Sequence, residues 1–161
     1  MRDQDFERLY EEHAQALYGF LAYRTGNPAL AEDLLADTFE KALRARGRFD
    51  ARRGSRKTWL YSIALNALRD HLRRSAAADR ATARLSADEG STMEPAEDAF
   101  ARRDELMGAL ATLSDEEREV VALRYGADMT VPEIAKVKGE KLTTIEGRVY
   151  RALRKLREQL D

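Results

Sequence analysis

Ser114, Thr130 and Thr143 are each followed three residues later by a glutamate, Glu117, Glu133 and Glu146. At this spacing the hydroxyl accepts a hydrogen bond from the glutamate's amide, while the carboxylate reaches back to the amide of the Ser or Thr. Two of the donors that every helix start leaves open are satisfied together. Three such starts so close together predict short helices separated by tight turns, and leave no room for a sheet in this part of the chain.

Two of the boxes bracket a predicted short helix, Val131 to Val137. Gly139 follows it, and then a longer helix running to about Leu160. A turn around glycine that sets one helix across its predecessor is the spacing of a helix-turn-helix. On the last helix Ile145, Val149, Ala152, Leu153, Leu156 and Leu160 form the buried stripe. Thr144, Arg148, Arg151 and Lys155 recur at intervals of four, three and four, which puts them on one face, read as opposite the core. Arginines there suit guanine edges or phosphates, two uses that the sequence does not separate. A plain basic face complementing the helix C-terminus fits Arg154, Lys155 and Arg157 better than Arg148 or Arg151.

The N-terminal half is also helical in pattern. Phe6, Leu9, Tyr10, Leu17, Tyr18 and Leu21 predict an amphipathic helix from Asp3 to Arg24, ended by Gly26. Asn27 then caps a second helix with Pro28 at its first position. Leu30, Leu34, Leu35, Phe39, Ala42 and Leu43 form its apolar stripe, and Glu32, Asp33, Asp37 and Glu40 give it an acidic outer side. Arg44 to Lys57 reads as a loop. A third helix begins near Thr58, with Trp59, Leu60, Ile63, Ala64, Ala67, Leu68 and Leu72 as its apolar positions. Trp59 fits a core aromatic and a nucleic-acid-facing ring equally well.

The net charge of -1 conceals strong segregation. Residues 1–40 hold 3 Lys/Arg against 9 Asp/Glu, and residues 41–75 hold 11 against 2. Arg56 and Lys57 stand at the start of the third helix, where the dipole disfavours cations, so local helix stability does not account for them. A block this basic points to a polyanionic partner, with a merely solvated face as the alternative. From Ser75 to Glu97 the chain turns small, polar and acidic, around Gly90 and Pro95, and reads as a flexible linker.

The chain has no cysteine, which excludes disulfide frameworks and thiolate metal sites. No apolar run approaches the length of a spanning helix, and the acidic start lacks the basic head and apolar middle of a signal peptide. The cytoplasm is the expected compartment, without membrane insertion. His13 and His71 are isolated, no glycine loop cradles phosphate, and the carboxylates follow helix faces. No catalytic residue, metal or cofactor is expected.

Three stretches together resemble the bacterial RNA polymerase sigma factors of the extracytoplasmic-function (ECF) type. AEDLLADTF, Ala31 to Phe39, is similar to the family's polymerase-binding helix. TWLYSIALNALRDHLRR, Thr58 to Arg74, resembles its minus-ten segment, and EIAKVKGEKLTTIEGRVYRALRKLR, Glu133 to Arg157, its minus-thirty-five helix-turn-helix. The fold implied is all-α, with two small helical domains joined by a flexible linker. Sigma domain 2 would occupy residues 1–75, the linker 76–99 and sigma domain 4 residues 100–161. The function implied is binding of core RNA polymerase, promoter recognition, DNA opening and transcription initiation.

Carried onto this chain, the resemblance assigns Asp33, Leu34, Asp37, Phe39 and Glu40 to polymerase binding, with Leu34 and Phe39 mainly core. Arg56, Lys57, Trp59, Asn66, Arg69, Arg73 and Arg74 fall in the minus-ten region, where a base is unstacked from single-stranded DNA at a cost of a few kcal/mol. Thr143, Thr144, Arg148, Tyr150, Arg151 and Lys155 fall on the helix that reads the duplex upstream element. An anti-sigma factor is a further implied partner. The chain departs from the family pattern at Ala36, where Gln is usual, at Lys138, where a large apolar residue is usual, and at Glu146, where a basic or polar residue is usual. Two other readings share part of the pattern: a sigma mimic that sequesters an anti-sigma factor, and a helix-turn-helix regulator, which leaves the basic block unexplained.

Overall fold

The computed structural model describes the backbone of residues 1–82 and 97–160, and the side chains of 1–78 and 104–160. Among these residues all regular structure is helical. Contacts divide the chain into two compact units, Met1–Gly90 and Ser91–Asp161.

Unit 1 contains α1 (Asp3–Thr25), α2 (Pro28–Arg44) and α3 (Arg56–Thr82). The break between α1 and α2 is built by local chemistry. Gly26 takes φ 67, a left-handed conformation that costs glycine nothing, and its amide donates to the Ala22 carbonyl. The Asn27 side chain then accepts from the Leu30 amide, and Pro28 fixes the first helical φ. The tight break folds α2 back on α1, and α3 packs on both.

The core of unit 1 is formed by Leu9, Leu17, Phe20 and Leu21 of α1, Leu34, Phe39 and Ala42 of α2, and Leu60, Tyr61, Ala64, Leu65 and Leu68 of α3. Phe20 and Tyr61 meet edge to face at 5.8 Å. Phe20, Tyr61 and Leu65 fall outside the predicted stripes, whereas Tyr10, Leu43 and Leu72, inside them, are exposed. Burial pushes the Tyr61 phenol up to about 12. A short 3-10 turn, Arg46–Arg48, leads into the loop before α3.

Unit 2 contains α4 (Glu97–Leu110), α5 (Asp115–Val121) running on into a π turn (Ala122–Gly126), α6 (Val131–Lys138) and α7 (Leu142–Leu160). Two of the three expected capping boxes form. Ser114 Oγ accepts from the Glu117 amide at 3.1 Å while Glu117 accepts from the Ser114 amide at 2.9 Å. Thr130 and Glu133 do the same at 3.2 and 2.9 Å. The third does not form, because α7 starts at Leu142, ahead of Thr143, and its first turn is closed by the Ile145 amide donating to the Lys141 carbonyl. Gly139, at φ 67, makes the turn between α6 and α7.

α3 runs to Thr82 and α4 begins at Glu97, so both ends of the 76–99 segment are helical, as its alanines allow, and residues 83–96 lie outside the described set.

Candidate polymerase and nucleic-acid interfaces

On α2, Leu34 and Phe39 are buried and Asp33 and Glu40 are exposed. Phe39 packs against Tyr10 at 4.9 Å and Phe6 at 6.2 Å, so it holds α2 on α1. Asp37 pairs with Lys41 at 3.0 Å and Glu40 with Arg44 at 2.6 Å, each one turn on. Exposed ion pairs of this kind contribute little, about 0.3 to 0.5 kcal/mol, and exchange readily for a partner's cation. Ala36 is exposed on the same helix and leaves no gap in the core.

α3 begins with Arg56 and Lys57, because Ser55 Oγ accepts from the Thr58 amide at 3.1 Å and the Ser55 carbonyl opens the helix ladder. Arg56 lies 3.5 Å from Asp5 of α1. Trp59 is partly buried and packs edge-on against Phe49 of the preceding loop at 5.4 Å, so that stack positions the loop. Asn66, Arg69, Arg73 and Arg74 are exposed along the rest of α3, with Arg73 held by Asp70 at 2.7 Å. The basic side expected of this helix is therefore present as a solvent-facing row, fixed from behind by Leu60, Ala64, Ala67 and Leu68.

On α7, Ile145, Val149 and Ala152 face the core, as expected, but the basic stripe does not stand opposite them. Arg148 and Lys155 lie at the border with α5. The Arg148 guanidinium bonds Glu140 through Nη1 at 2.7 Å and Nη2 at 3.2 Å, and Nη1 lies 3.5 Å from Glu116. Its side chain is only 15% exposed. The hydrogen bond it donates to Glu140 leads the causes that raise its pKa, against the opposing effect of burial. Lys155 Nζ donates to Glu117 Oε1 at 2.7 Å. Burial alone would raise the Glu117 carboxyl, but Lys155 and the Ser114 amide outweigh it and hold the group below its ordinary value.

The outward face of α7 instead carries Thr143, Thr144, Glu146, Tyr150 and Arg151, all exposed, Tyr150 to 65%. The difference follows from helix geometry. Residues at intervals of three and four share a side, but that side can flank the core as well as oppose it, and here α5 brings three glutamates to the flank.

Lys138 is the residue that sequence reasoning left unplaced. It is buried at the end of α6, with its side chain 2% exposed, and its ammonium contacts Glu119, which is also buried, and lies 3.0 Å from Glu116. An acid, not an apolar neighbour, receives it. Among the described residues no group of histidines and carboxylates is arranged to hold a metal ion, and no helix is long and apolar enough to cross a membrane.

Two family models match: Sigma-70 region 2 over residues 9–78 and Sigma-70, region 4 over residues 103–156. These ranges contain α3's basic row and the helix-turn-helix respectively. The chain is 36% identical to the RNA polymerase sigma factor CarQ of Myxococcus xanthus, over 96% of this chain and 88% of that one. It is 32% identical to the ECF RNA polymerase sigma factor BldN of Streptomyces coelicolor, over 94% of this chain and 58% of that one. Among solved structures, the sigma factor RpoE in complex with the anti-sigma factor NepR from Bartonella quintana matches with a TM-score of 0.85 at 25% identity, covering 98% of this chain and 97% of that chain. The chain belongs to the sigma-70 family of RNA polymerase sigma factors, in its extracytoplasmic-function branch.

Proposed function

We propose that the two units divide promoter recognition between them, with α2 of unit 1 docking the factor on core RNA polymerase. Asp33, Asp37 and Glu40 offer the polymerase carboxylates whose present partners are absent or surface-weak. Leu34 and Phe39 act from inside by fixing the helix. Arg56, Lys57, Asn66, Arg69, Arg73 and Arg74 engage the backbone and bases of the opened minus-ten strand, and Trp59 shapes the adjoining loop. Thr143, Thr144, Tyr150 and Arg151 meet the duplex upstream element, with Arg148 and Lys155 at the edge of that surface. The factor works in the cytoplasm and has no catalytic role of its own, since the chemistry of RNA synthesis belongs to the polymerase.

The observation that carries this reading is the solvent-facing basic row of α3 in one unit together with the exposed polar face of α7, with Thr144, Tyr150 and Arg151, in the other. A chain with net charge -1 gains little non-specific attraction to DNA, so each small surface needs the polymerase to bring it to the promoter. An anti-sigma factor is a further proposed partner, supported by the complex in which the RpoE relative was solved.

The test is in vitro transcription with purified core polymerase on a pool of promoter fragments. Start sites are expected only when the chain is added, and the free chain is expected to bind the same fragments weakly. Absence of initiation together with binding to an anti-sigma factor would instead favour a sigma mimic.

A further inference from the structure

We infer that Lys138, buried and carried by the helix before the turn, is a positioning residue that governs which upstream sequences α7 reads. The inference rests on the reading of α7 as the recognition helix.

Five charged groups form a continuous chain through unit 2. Glu119 and Glu116 of α5 receive the Lys138 ammonium from the last turn of α6, the second at 3.0 Å. The same Glu116 oxygen lies 3.5 Å from Arg148 Nη1 of α7, and Arg148 closes onto Glu140 in the turn between α6 and α7 at 2.7 and 3.2 Å. Within this chain α6 is tied to α5 by hydrogen bonds from Lys138, and α7 by the 3.5 Å ion pair of Arg148 with Glu116.

Stability does not account for such a chain. A buried ion pair replaced by apolar side chains of similar volume often leaves a protein as stable or more so. What charged hydrogen bonds supply and apolar packing does not is direction, because the hydrophobic effect is non-directional. Lys138 directly precedes Gly139, whose left-handed φ of 67 sets the crossing of α6 and α7. A group held rigidly there fixes the angle at which α7 leaves the turn, and with it the register in which Thr144 and Arg151 approach base edges.

The test uses the full chain with core polymerase and promoter fragments that share one minus-ten element and vary at each upstream position. Four proteins are compared with the parent: the double variant Lys138→Met with Glu119→Leu, Lys138→Arg, Lys136→Ala and Arg151→Ala. Lys136 is exposed on the same helix. The double variant is expected to unfold within about 5 °C of the parent and to initiate transcription, because the ammonium leaves with its buried partner while Glu116 is exposed and keeps Arg148 nearby. Its discrimination between upstream sequences is expected to flatten about tenfold, the scale of one well-placed base contact. Lys138→Arg and Lys136→Ala are expected to keep the parent's ranking.

A double variant that ranks the fragments as the parent does, while Arg151→Ala loses the ranking, overturns the positioning role and leaves the recognition helix standing. Arg151→Ala with the ranking intact overturns the recognition-helix reading, and the positioning role falls with it. Should the double variant unfold, Glu116→Gln makes the same comparison by weakening the carboxylate that Lys138 itself contacts: a flattened ranking supports the role and an unchanged one overturns it.

Discussion

The guanidinium of Arg151 lies along the bare backbone of Gly147, one turn earlier on α7: a Cβ on that glycine would stand 3.1 Å from Nη1 and 3.8 Å from Cζ. Glycine inside a helix costs about 0.5 to 1 kcal/mol relative to alanine. Gly147→Ala is therefore expected to raise the stability of unit 2 by up to that amount while displacing the arginine proposed to read the upstream element. Thermal unfolding would show the gain, and transcription from upstream-dependent promoters would fall. A stabilised variant with unchanged promoter output would mean that the pose of Arg151 is irrelevant to reading.

Arg148 and Arg151 are expected to fail in different ways. Removing Arg148 deletes a two-point ion pair with Glu140 in a largely buried position, so Arg148→Ala is expected to cost about 1 to 3 kcal/mol of stability. Arg151 is exposed, and Arg151→Ala is expected to change stability by less than about 0.5 kcal/mol. Denaturant unfolding separates the two, and the promoter assay is expected to register Arg151→Ala in full. Equal stability losses would contradict the division of roles.

What the sequence made legible was local. Asn27–Pro28, the two glycine turns and the boxes at Ser114 and Thr130 depend on residues within four positions of one another, and all of them formed. The Thr143 box did not form because the helix starts at Leu142, two residues before a Thr143 cap would start it, which puts Thr143 inside the first turn. Periodicity gave the faces of α7 but not its neighbours. Arg148 is held by Glu140 from the turn before α7 and by Glu116 of α5, Lys155 pairs with Glu117 of α5, and Lys138 meets its carboxylates 22 and 19 residues back, separations that no local pattern encodes. Phe20, Tyr61 and Leu65 were missed for a related reason: α2 and α3 both pack on α1, and the buried arc is wider than a single stripe.

Glu117 couples the start of α5 to α7, and its carboxyl is held below the ordinary value of 4.5. A depressed carboxyl contributes stability above its unfolded pKa and loses it as pH falls through the folded one. Unit 2 is therefore expected to lose this contribution below about pH 4.5 and to hold it in full at pH 7. Glu117→Gln keeps an acceptor for the Ser114 amide but removes the charge facing Lys155. That variant is expected to be less stable at pH 7 and to show a shallower decline on acidification. Parallel stability-versus-pH curves for the two proteins would rule out the coupling.

Asp37 on α2 is proposed to meet the polymerase. Its partner in the free chain is Lys41, one turn away and similarly exposed, so Asp37→Ala is expected to cost the fold only about 0.3 to 0.5 kcal/mol. Co-elution with core polymerase is expected to weaken, and added salt to weaken the parent's binding more than the variant's, because screening acts on the charge that the variant lacks. Unchanged co-elution would remove Asp37 from the interface.

Asp128 closes the π turn with φ 54, the single non-glycine residue at positive φ among those described. Aspartate tolerates this region better than most side chains, while a β-branched residue is strained there by about 1 to 2 kcal/mol. The neighbouring Arg124 Nη1 reaches the Met129 carbonyl at 3.3 Å, and the Met129 amide donates to the Leu123 carbonyl, so both sides of the turn are tied down and cannot relax the strain. Asp128→Val is expected to destabilise unit 2 by about that amount, whereas Asp128→Gly is expected to be far milder because it accepts the same φ freely. Since the turn leads directly into Thr130 and α6, the valine variant is also expected to lose protection from hydrogen exchange at the α6 amides first. A valine variant as stable as the glycine one would show that the turn adjusts and that backbone conformation does not set the identity of residue 128.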